Sequence, residues 1–336
     1  MRRTFARLAT AVLLAATGFA AGAQVPAAAQ GVVPWTVATA ANEFGADRAN
    51  YSYTAEPGEQ VRDGLVIANR GTAPLDLAVY SADAFTTAAG QLDLVTRDTR
   101  SHGVGAWVHP AADHVTLPPG QSADVPFTLT IPPDATPGDH LGGLVTSVRQ
   151  GDVERRLGLR VHLRVGGALT PRLSVEDARV DYSGTPNPFG TGEATLSYTI
   201  RNTGNAIAAA RQTASVTGPF GTFATPSAPI PDSPQLLPGE TWHVVTSVHD
   251  VVPAVRLSAA VSVTPLLTDA SGSTAPLPAV PSVASGWAVP WALVVLLAVA
   301  CAPAAVLLAR RHRGKTEVDS RVDGEVAEEI SATAEN

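Results

Sequence analysis

The sequence predicts an all-β chain, with two tandem β-sandwich domains followed by one C-terminal transmembrane helix. Three observations carry this. Short alternating apolar runs punctuated by Pro and Gly recur through the middle of the chain, with no long stretch of 3.6-residue periodicity between them. The stretch 287–309 carries no charge. A strand-end pattern followed by a Pro-Gly turn occurs twice, which is the mark of a duplicated unit. The 29 Gly and 27 Pro make up about a sixth of the 336 residues. That is below the roughly 25–30% of low-complexity sequence, and it excludes a disordered or collagen-like chain.

From the N-terminus, Arg2, Arg3 and Arg7 precede an apolar stretch that ends in Ala21-Gly22-Ala23. This is the charged region, apolar region and small-residue exit of a secretory signal peptide, placed at residues 1–23. The first sandwich is expected over residues 31–167. Its runs include 61–69 (V-R-D-G-L-V-I-A-N), 75–80 (L-D-L-A-V-Y) and 125–131, where Phe127, Leu129 and Ile131 share one face. In 157–165, Arg160, His162 and Arg164 lie opposite Leu159, Val161, Leu163 and Val165. The second sandwich is expected over residues 168–268, with runs at 194–202, 242–248 and 255–263. Residues 269–286, rich in Ser, Ala and Pro, read as an extended stalk. Residues 287–309 would span about 34 Å as a helix, enough to cross a ~30 Å hydrocarbon core. Trp287 and Trp291 fall at its outer interface, and Arg310, Arg311, Arg313 and Lys315 follow as a basic stop that stays on the cytoplasmic side. The tail, 310–336, is acid-rich and nearly free of aromatics, so it reads as disordered and cytoplasmic.

The duplicated pattern is an Ile-x-Asn-x-Gly strand end, at 67–71 and again at 200–204, followed by Leu-Pro-Pro-Gly at 117–120 and Leu-Pro-Gly at 237–239. Asn and Gly are expected there as residues tolerant of positive φ where the chain reverses. Strand grammar repeated in units of this size predicts two tandem immunoglobulin-like β-sandwich domains. The Cys…Trp…Cys pattern of antibody domains is absent, since Cys301 is the single cysteine. With one cysteine the chain can form no internal disulfide and no cysteine-based zinc site, and Cys301 lies in the expected span.

Three stretches of the first unit carry a family likeness: 51–59 (Y-S-Y-T-A-E-P-G-E), 65–71 (L-V-I-A-N-R-G) and 79–85 (V-Y-S-A-D-A-F). A later part is more specific: W-V-H-P at 107–110, V-T-L-P-P-G at 115–120 and V-P-F-T-L-T-I-P-P-D-A-T-P-G-D-H-L-G-G-L at 125–144. In these stretches, over about residues 32–165, the chain resembles the WxL-interacting protein family of Gram-positive bacteria. The layout of signal peptide, two sandwiches, span and basic tail is similar too. The resemblance implies that the first domain binds peptidoglycan and that the second engages WxL-type surface proteins or a host ligand. The second unit matches the family's second domain by no motif. Its Ala richness and its preference for Arg over Lys fit an actinobacterial-type member.

The residues themselves show no catalytic arrangement. G-x-S-x-G, H-E-x-x-H, the P-loop and S-x-x-K are all missing. The expected ectodomain has neither a Cys nor a Lys nucleophile, so no enzyme and no cofactor are expected. A formal net charge of −7 makes no case for nucleic acid. His102, His109, His114 and His140 occur at spacings that match no metal-ligand motif. Sugar recognition uses aromatic faces rimmed by polar groups, and the candidates for it are Trp35, Tyr51, Tyr53, Trp107, His109 and His140. Of Tyr51 and Tyr53, one is expected to point inward, and Trp107 is expected to begin a strand. Arg155, Arg156, Arg160 and Arg164 form the main basic region, a solvated strand face or a contact for anionic wall polymer. The resulting expectation is a single-pass, cell-wall-facing binding protein. The alternatives are a spacer or signalling receptor of the envelope, or an unrecognised envelope hydrolase.

Overall fold

The computed structural model describes residues 33–187, 189–268, 274–308 and 310. The signal peptide expected at 1–23 and all of the expected tail except Arg310 lie outside them. The described residues form a mostly-β, immunoglobulin-like sandwich protein with one long apolar helix near the C-terminal end.

The alternating runs become strands because residues two apart share a face, so one face can be buried whole. In chain order the first unit holds β1 (Trp35–Thr39), β2 (Tyr51–Ala55), β3 (Gln60–Asn69), β4 (Leu75–Thr86), β5 (Leu92–Leu94), the one-turn helix α1 (Val104–Trp107), β6 (Val108–Pro110), β7 (His114–Leu117), β8 (Ser122–Thr130), β9 (Gly138–Gln150) and β10 (Val153–Val165). One sheet runs β1-β3-β8-β6, and the facing sheet runs β2-β10-β9-β4, with β5 and β7 attached to β4. β1 pairs antiparallel with β3, whereas β2 crosses to the other sheet and runs parallel to β10. Splitting the leading segment across both sheets in this way ties the two layers together at their edge. Leu65, Ile67, Leu77, Val79, Val125, Phe127, Leu129, Val161 and Leu163 fill the space between the layers.

The second unit holds β11 (Leu173–Ser183), β12 (Gly192–Asn202), β13 (Ala208–Thr217), β14 (Thr225–Pro226), β15 (Thr241–Val251), β16 (Val255–Thr268), β17 (Thr274–Pro276) and β18 (Val280–Ala288). Its sheets are β11-β12-β15 and β14-β13-β16, with β17 and β18 paired to β16. Leu196, Tyr198, Ile200, Val216, Val261 and Val263 form its core. The Tyr198 hydroxyl donates to Gln212 Oε1 at 2.7 Å, and burial pushes its pKa up to about 12.

Two boundaries differ from expectation. Of the expected stalk, 280–286 belongs to β18, which pairs residue by residue with β16 from Val255↔Ala288 to Val263↔Val280. Ser, Ala and Pro suggested a linker, but alternate positions such as Ala284 and Ala288 are buried and Pro281 occupies the strand's start. The helix α2 (Trp291–Leu308) is long and apolar enough to cross a membrane, and it is not buried against the protein. Trp287 therefore lies in β18, and only Val289 and Pro290 separate that strand from α2. Both sandwiches fall within one compact unit from Trp35 onward.

The duplicated sequence pattern has one physical role in both sandwiches, and it is not the expected one. Neither Asn69 and Gly71 nor Asn202 and Gly204 has positive φ; only the turn glycines Gly120 and Gly239 do. The two asparagines are instead buried clamps. Asn69 Nδ2 donates to the carbonyls of Ala73 and Leu117, both at 2.9 Å, and Oδ1 accepts from the Gly71 N–H at 2.9 Å. Asn202 repeats this with Ala206 at 2.8 Å, Leu236 at 2.9 Å and Gly204 at 3.0 Å.

Candidate functional site

The first sandwich meets the second through polar loops. Asp139, near the start of β9, is buried at the junction. Its Oδ1 accepts from Arg164 Nε at 2.8 Å and from His162 Nε2 at 3.2 Å, both on β10, while Oδ2 accepts from the Ile207 N–H of the second sandwich at 3.0 Å. Asn205 answers from the other side. Its Nδ2 donates to the Pro137 and Ala168 carbonyls at 2.9 Å each, and its own carbonyl accepts from the Asp139 N–H at 2.8 Å. Gly138 sits at φ 130, and a Cβ there would overlap the Asn205 carbonyl, so glycine is required. A second clamp joins Thr86 to Glu240: the Thr86 N–H donates to Oε1 at 2.7 Å and its hydroxyl donates to Oε2 at 2.6 Å.

Burial pushes the Asp139 carboxyl pKa up, but His162, Arg164 and the Ile207 N–H together hold it well below the usual carboxylate range. A depressed folded-state pKa stabilises above the unfolded value near 3.9, and that stability is lost as pH falls through the folded value. Asp139→Asn is therefore expected to speed amide exchange at Ile207 relative to Val216 in the second core. The stability difference from wild type should hold steady above about pH 5 and shrink below about pH 4. Equal exchange at both amides, or a pH-independent difference, would refute this role.

Beside the junction lies a cleft of ≈ 290 Å³, walled by Ser52 and Thr54 of β2, Arg160, His162 and Arg164 of β10, and Ile207 and Gln235 of the second sandwich. The alternation of β10 puts the three basic residues on its outer face while Val161, Leu163 and Val165 fill the core. Arg164 is committed to Asp139. The exposed Arg160 guanidinium makes no hydrogen bond or ion pair with the described residues, which leaves its donor fork free for an anionic or hydroxyl-rich ligand.

The six aromatic and histidine candidates separate into three groups. Trp35, Tyr51 and Tyr53 are buried and offer no face to a sugar. The Trp35 indole N–H donates to Thr146 Oγ1 at 2.8 Å, bridging the two layers. Tyr51 and Tyr53 both point inward, because residues two apart on one strand share a face. Trp107 and His140 are brought together, half-buried, with ring centroids 4.9 Å apart at 52°. Trp107 ends α1 and does not begin a strand; β6 starts one residue later. His140 Nε2 donates to the Thr136 carbonyl at 2.8 Å, which fixes the ring. His109 is exposed on β6.

Sequence reasoning missed the buried ion pair behind β2. Asp63 accepts from Arg48 at 2.7 and 3.0 Å, from the Tyr53 hydroxyl at 2.6 Å, from Asn42 at 2.6 Å and from the Gly64 N–H at 2.7 Å. Asp63 has the parity of Leu65 and Ile67, so a charged residue at an inward position was the available signal. Among the described residues, no group of three or more His, Cys, Asp or Glu could hold a metal ion. They form no catalytic constellation.

No family model and no curated protein sequence matches the chain. Among solved structures it is similar to a chaperone–tip adhesin complex of CFA/I fimbriae biogenesis, at TM-score 0.39 and 8% identity over 75% of this chain and 99% of that one. It is similar to the CupB2 chaperone of Pseudomonas aeruginosa, at TM-score 0.29 and 10% identity over 72% of this chain and 98% of that one. A third similar structure is the CsuC–CsuE chaperone–tip adhesion subunit complex of Acinetobacter baumannii, at TM-score 0.31 and 8% identity over 63% and 90%. At such scores the overlap is loose, and it carries nothing about ligand, partner or assembly.

Proposed function

We propose that this chain is a non-catalytic binding protein of the bacterial surface, held by a single membrane span and facing the cell wall. In this reading α2 crosses the bilayer, the sandwiches lie outside, and the basic residues from Arg310 onward lie in the cytoplasm. The first sandwich takes peptidoglycan or another wall glycan, and the second engages a WxL-type surface protein or a host ligand in adhesion. The observation that carries the proposal is the cleft beside the junction, where the unpaired Arg160 stands among the hydroxyls of Ser52 and Thr54. A cation beside short hydroxyl side chains suits a polymer rich in hydroxyls and carboxylates. The likeness of residues 32–165 to WxL-interacting proteins supports the choice of peptidoglycan and supplies the second partner.

The test is co-sedimentation of the full chain, reconstituted in nanodiscs, with purified cell walls. Wild type is expected to sediment with the walls, and Arg160→Glu to bind about tenfold more weakly, equivalent to ~1.4 kcal/mol. Sedimentation no greater than that of empty nanodiscs would sink the wall-binding reading. An unchanged Arg160→Glu variant would move the site elsewhere on the sandwich.

A further inference from the structure

The two ends of the second sandwich differ. One end, with the Asn202 clamp, Asn205 and Glu240, is occupied by the first sandwich. At the other end β11, β13, β15 and β18 finish and β12 and β16 begin, as the register shows: Ser183 opposite Glu193, Gly192 opposite Val251, Thr217 opposite Ser258 and Val255 opposite Ala288. Phe189, Phe220, Phe223, Val255 and Trp287 all stand there, between 55 and 104% exposed. Only Val245 and Val283 are comparably exposed among the other large apolar residues described from β11 to β18. Concentration of apolar side chains at one end of a folded domain marks an interaction surface.

The backbone supports the same conclusion independently. Phe220, Phe223, Asp250 and Val255 have φ of 59, 53, 59 and 63, four of the six non-glycine residues with positive φ among the described residues. For a β-branched residue such as Val255 this is an outlier. Strain of this kind clusters at functional surfaces, and here all four residues are exposed, three of them apolar.

What covers this end follows from chain continuity. β18 ends at Ala288 and α2 starts at Trp291. A cavity of ≈ 280 Å³ lined by Tyr182, Asn187, Pro253, Trp287, Trp291 and Ala292 shows the start of the helix lying against the same loops. With a membrane-length helix beginning two residues below the strand, the loop tips lie at the water–lipid boundary, where aromatic side chains are favoured. Charge does not explain the surface, since Arg256 and Asp250 both lie at this end, exposed and opposite in sign.

We infer that this end of the second sandwich is a lipid-docking foot. The tips carrying Phe189, Phe220 and Phe223 seat in the headgroup region beside Trp287 and Trp291, and so fix the height and tilt of the ectodomain. The inference rests on α2 crossing the bilayer, and the experiment separates the two. The full chain is reconstituted in phosphatidylcholine vesicles and spin-labelled at one site at a time. The sites are native Cys301; Ala224→Cys in a Cys301→Ser background, beside Phe223; and Asp152→Cys in the same background, at the far end of β9. Accessibility to oxygen, which partitions into lipid, is compared with accessibility to a water-soluble nickel chelate.

The label at 301 is expected to be reached by oxygen and shielded from nickel; if nickel reaches it freely, the span itself is refuted. The label at 224 is expected to show a higher oxygen-to-nickel ratio than the label at 152. That ratio should fall to the 152 value when Phe189, Phe220 and Phe223 are all changed to Ser, substitutions at exposed positions that leave the core intact. A lipid-buried 301 with a 224 label as open to nickel as 152 overturns the docking foot and leaves the span standing. A 224 label shielded from both reagents, with dipolar broadening that grows with protein density, overturns it in favour of contact between copies.

Discussion

Asp63→Ala is expected to destabilise the first sandwich by about 3–5 kcal/mol, the cost of removing one partner of a buried ion pair. Domains are stable by only about 5–15 kcal/mol, so the variant should be largely unfolded under mild denaturant. The Asp63 side chain is 0% exposed and the Arg48 side chain 15%, so water cannot replace what is removed. Its loss also strands the buried Tyr53 hydroxyl. Changing Arg48 to Leu in the same chain should recover part of the loss, since it removes the uncompensated charge. Burial pushes the Asp63 carboxyl pKa up, but hydrogen bonds from Arg48, Tyr53, Gly64 and Asn42 outweigh it and hold the carboxyl below its ordinary value. The advantage of wild type over Asp63→Ala should accordingly be full above the unfolded carboxylate value near 3.9 and narrow as pH falls through the folded one. Urea titrations of both proteins at several pH values measure this. A loss under about 1 kcal/mol at pH 7, typical of a solvated surface pair, would show that the pair is hydrated.

The asparagine clamps give the second large effect. Asn202→Ala leaves the buried Ala206 carbonyl without a partner, at about 1–3 kcal/mol, whereas the Leu236 carbonyl keeps the Ala208 N–H and the Gly204 N–H keeps the Arg172 carbonyl. Asn69→Ala removes the matching bonds to Ala73, Leu117 and Gly71 at a partly solvated site and should cost no more. The nearly isosteric Asn202→Asp is the sharper test. It keeps the acceptor for Gly204 but turns a carboxylate oxygen onto the Ala206 and Leu236 carbonyls. At pH 7 it should cost at least as much as the alanine change, and acid should relieve it as the carboxyl protonates and regains a donor. Denaturation midpoints for the three variants decide this, and Asn202→Asp as stable as wild type would exclude the clamp.

The strands were legible because a sandwich core imposes a period of two on the sequence, and β3, β8, β10, β12 and β16 carry it openly. The duplication was legible as well, although its meaning was not: the asparagines suit a turn by composition, and only the buried carbonyls around them reveal a hydrogen-bonding role. β18 was hidden because Ser, Ala and Pro serve an extended linker and an edge strand of small residues equally well, and pairing with β16 decides between them. Among the site candidates, Trp107 and His140 are far apart in sequence, and α1 brings them together. Trp35, Tyr51 and Tyr53 look the same on paper whether they face solvent or core. The Asp139–Asn205 junction could not be read at all, because it depends on how two units meet.

The two-residue connection between β18 and α2 has a mechanical consequence. β11 leaves the junction with the first sandwich and runs beside β18, which ends two residues before the helix. If the helix is held in a bilayer and the first sandwich at the wall, as proposed, tension would enter the second sandwich at opposite ends of these neighbouring strands. The nine residue pairs between β16 and β18 are then loaded together in shear and do not peel one at a time. Under cell-wall strain this sandwich would resist extension as a stiff tether, and the polar junction above it would be the first place to yield.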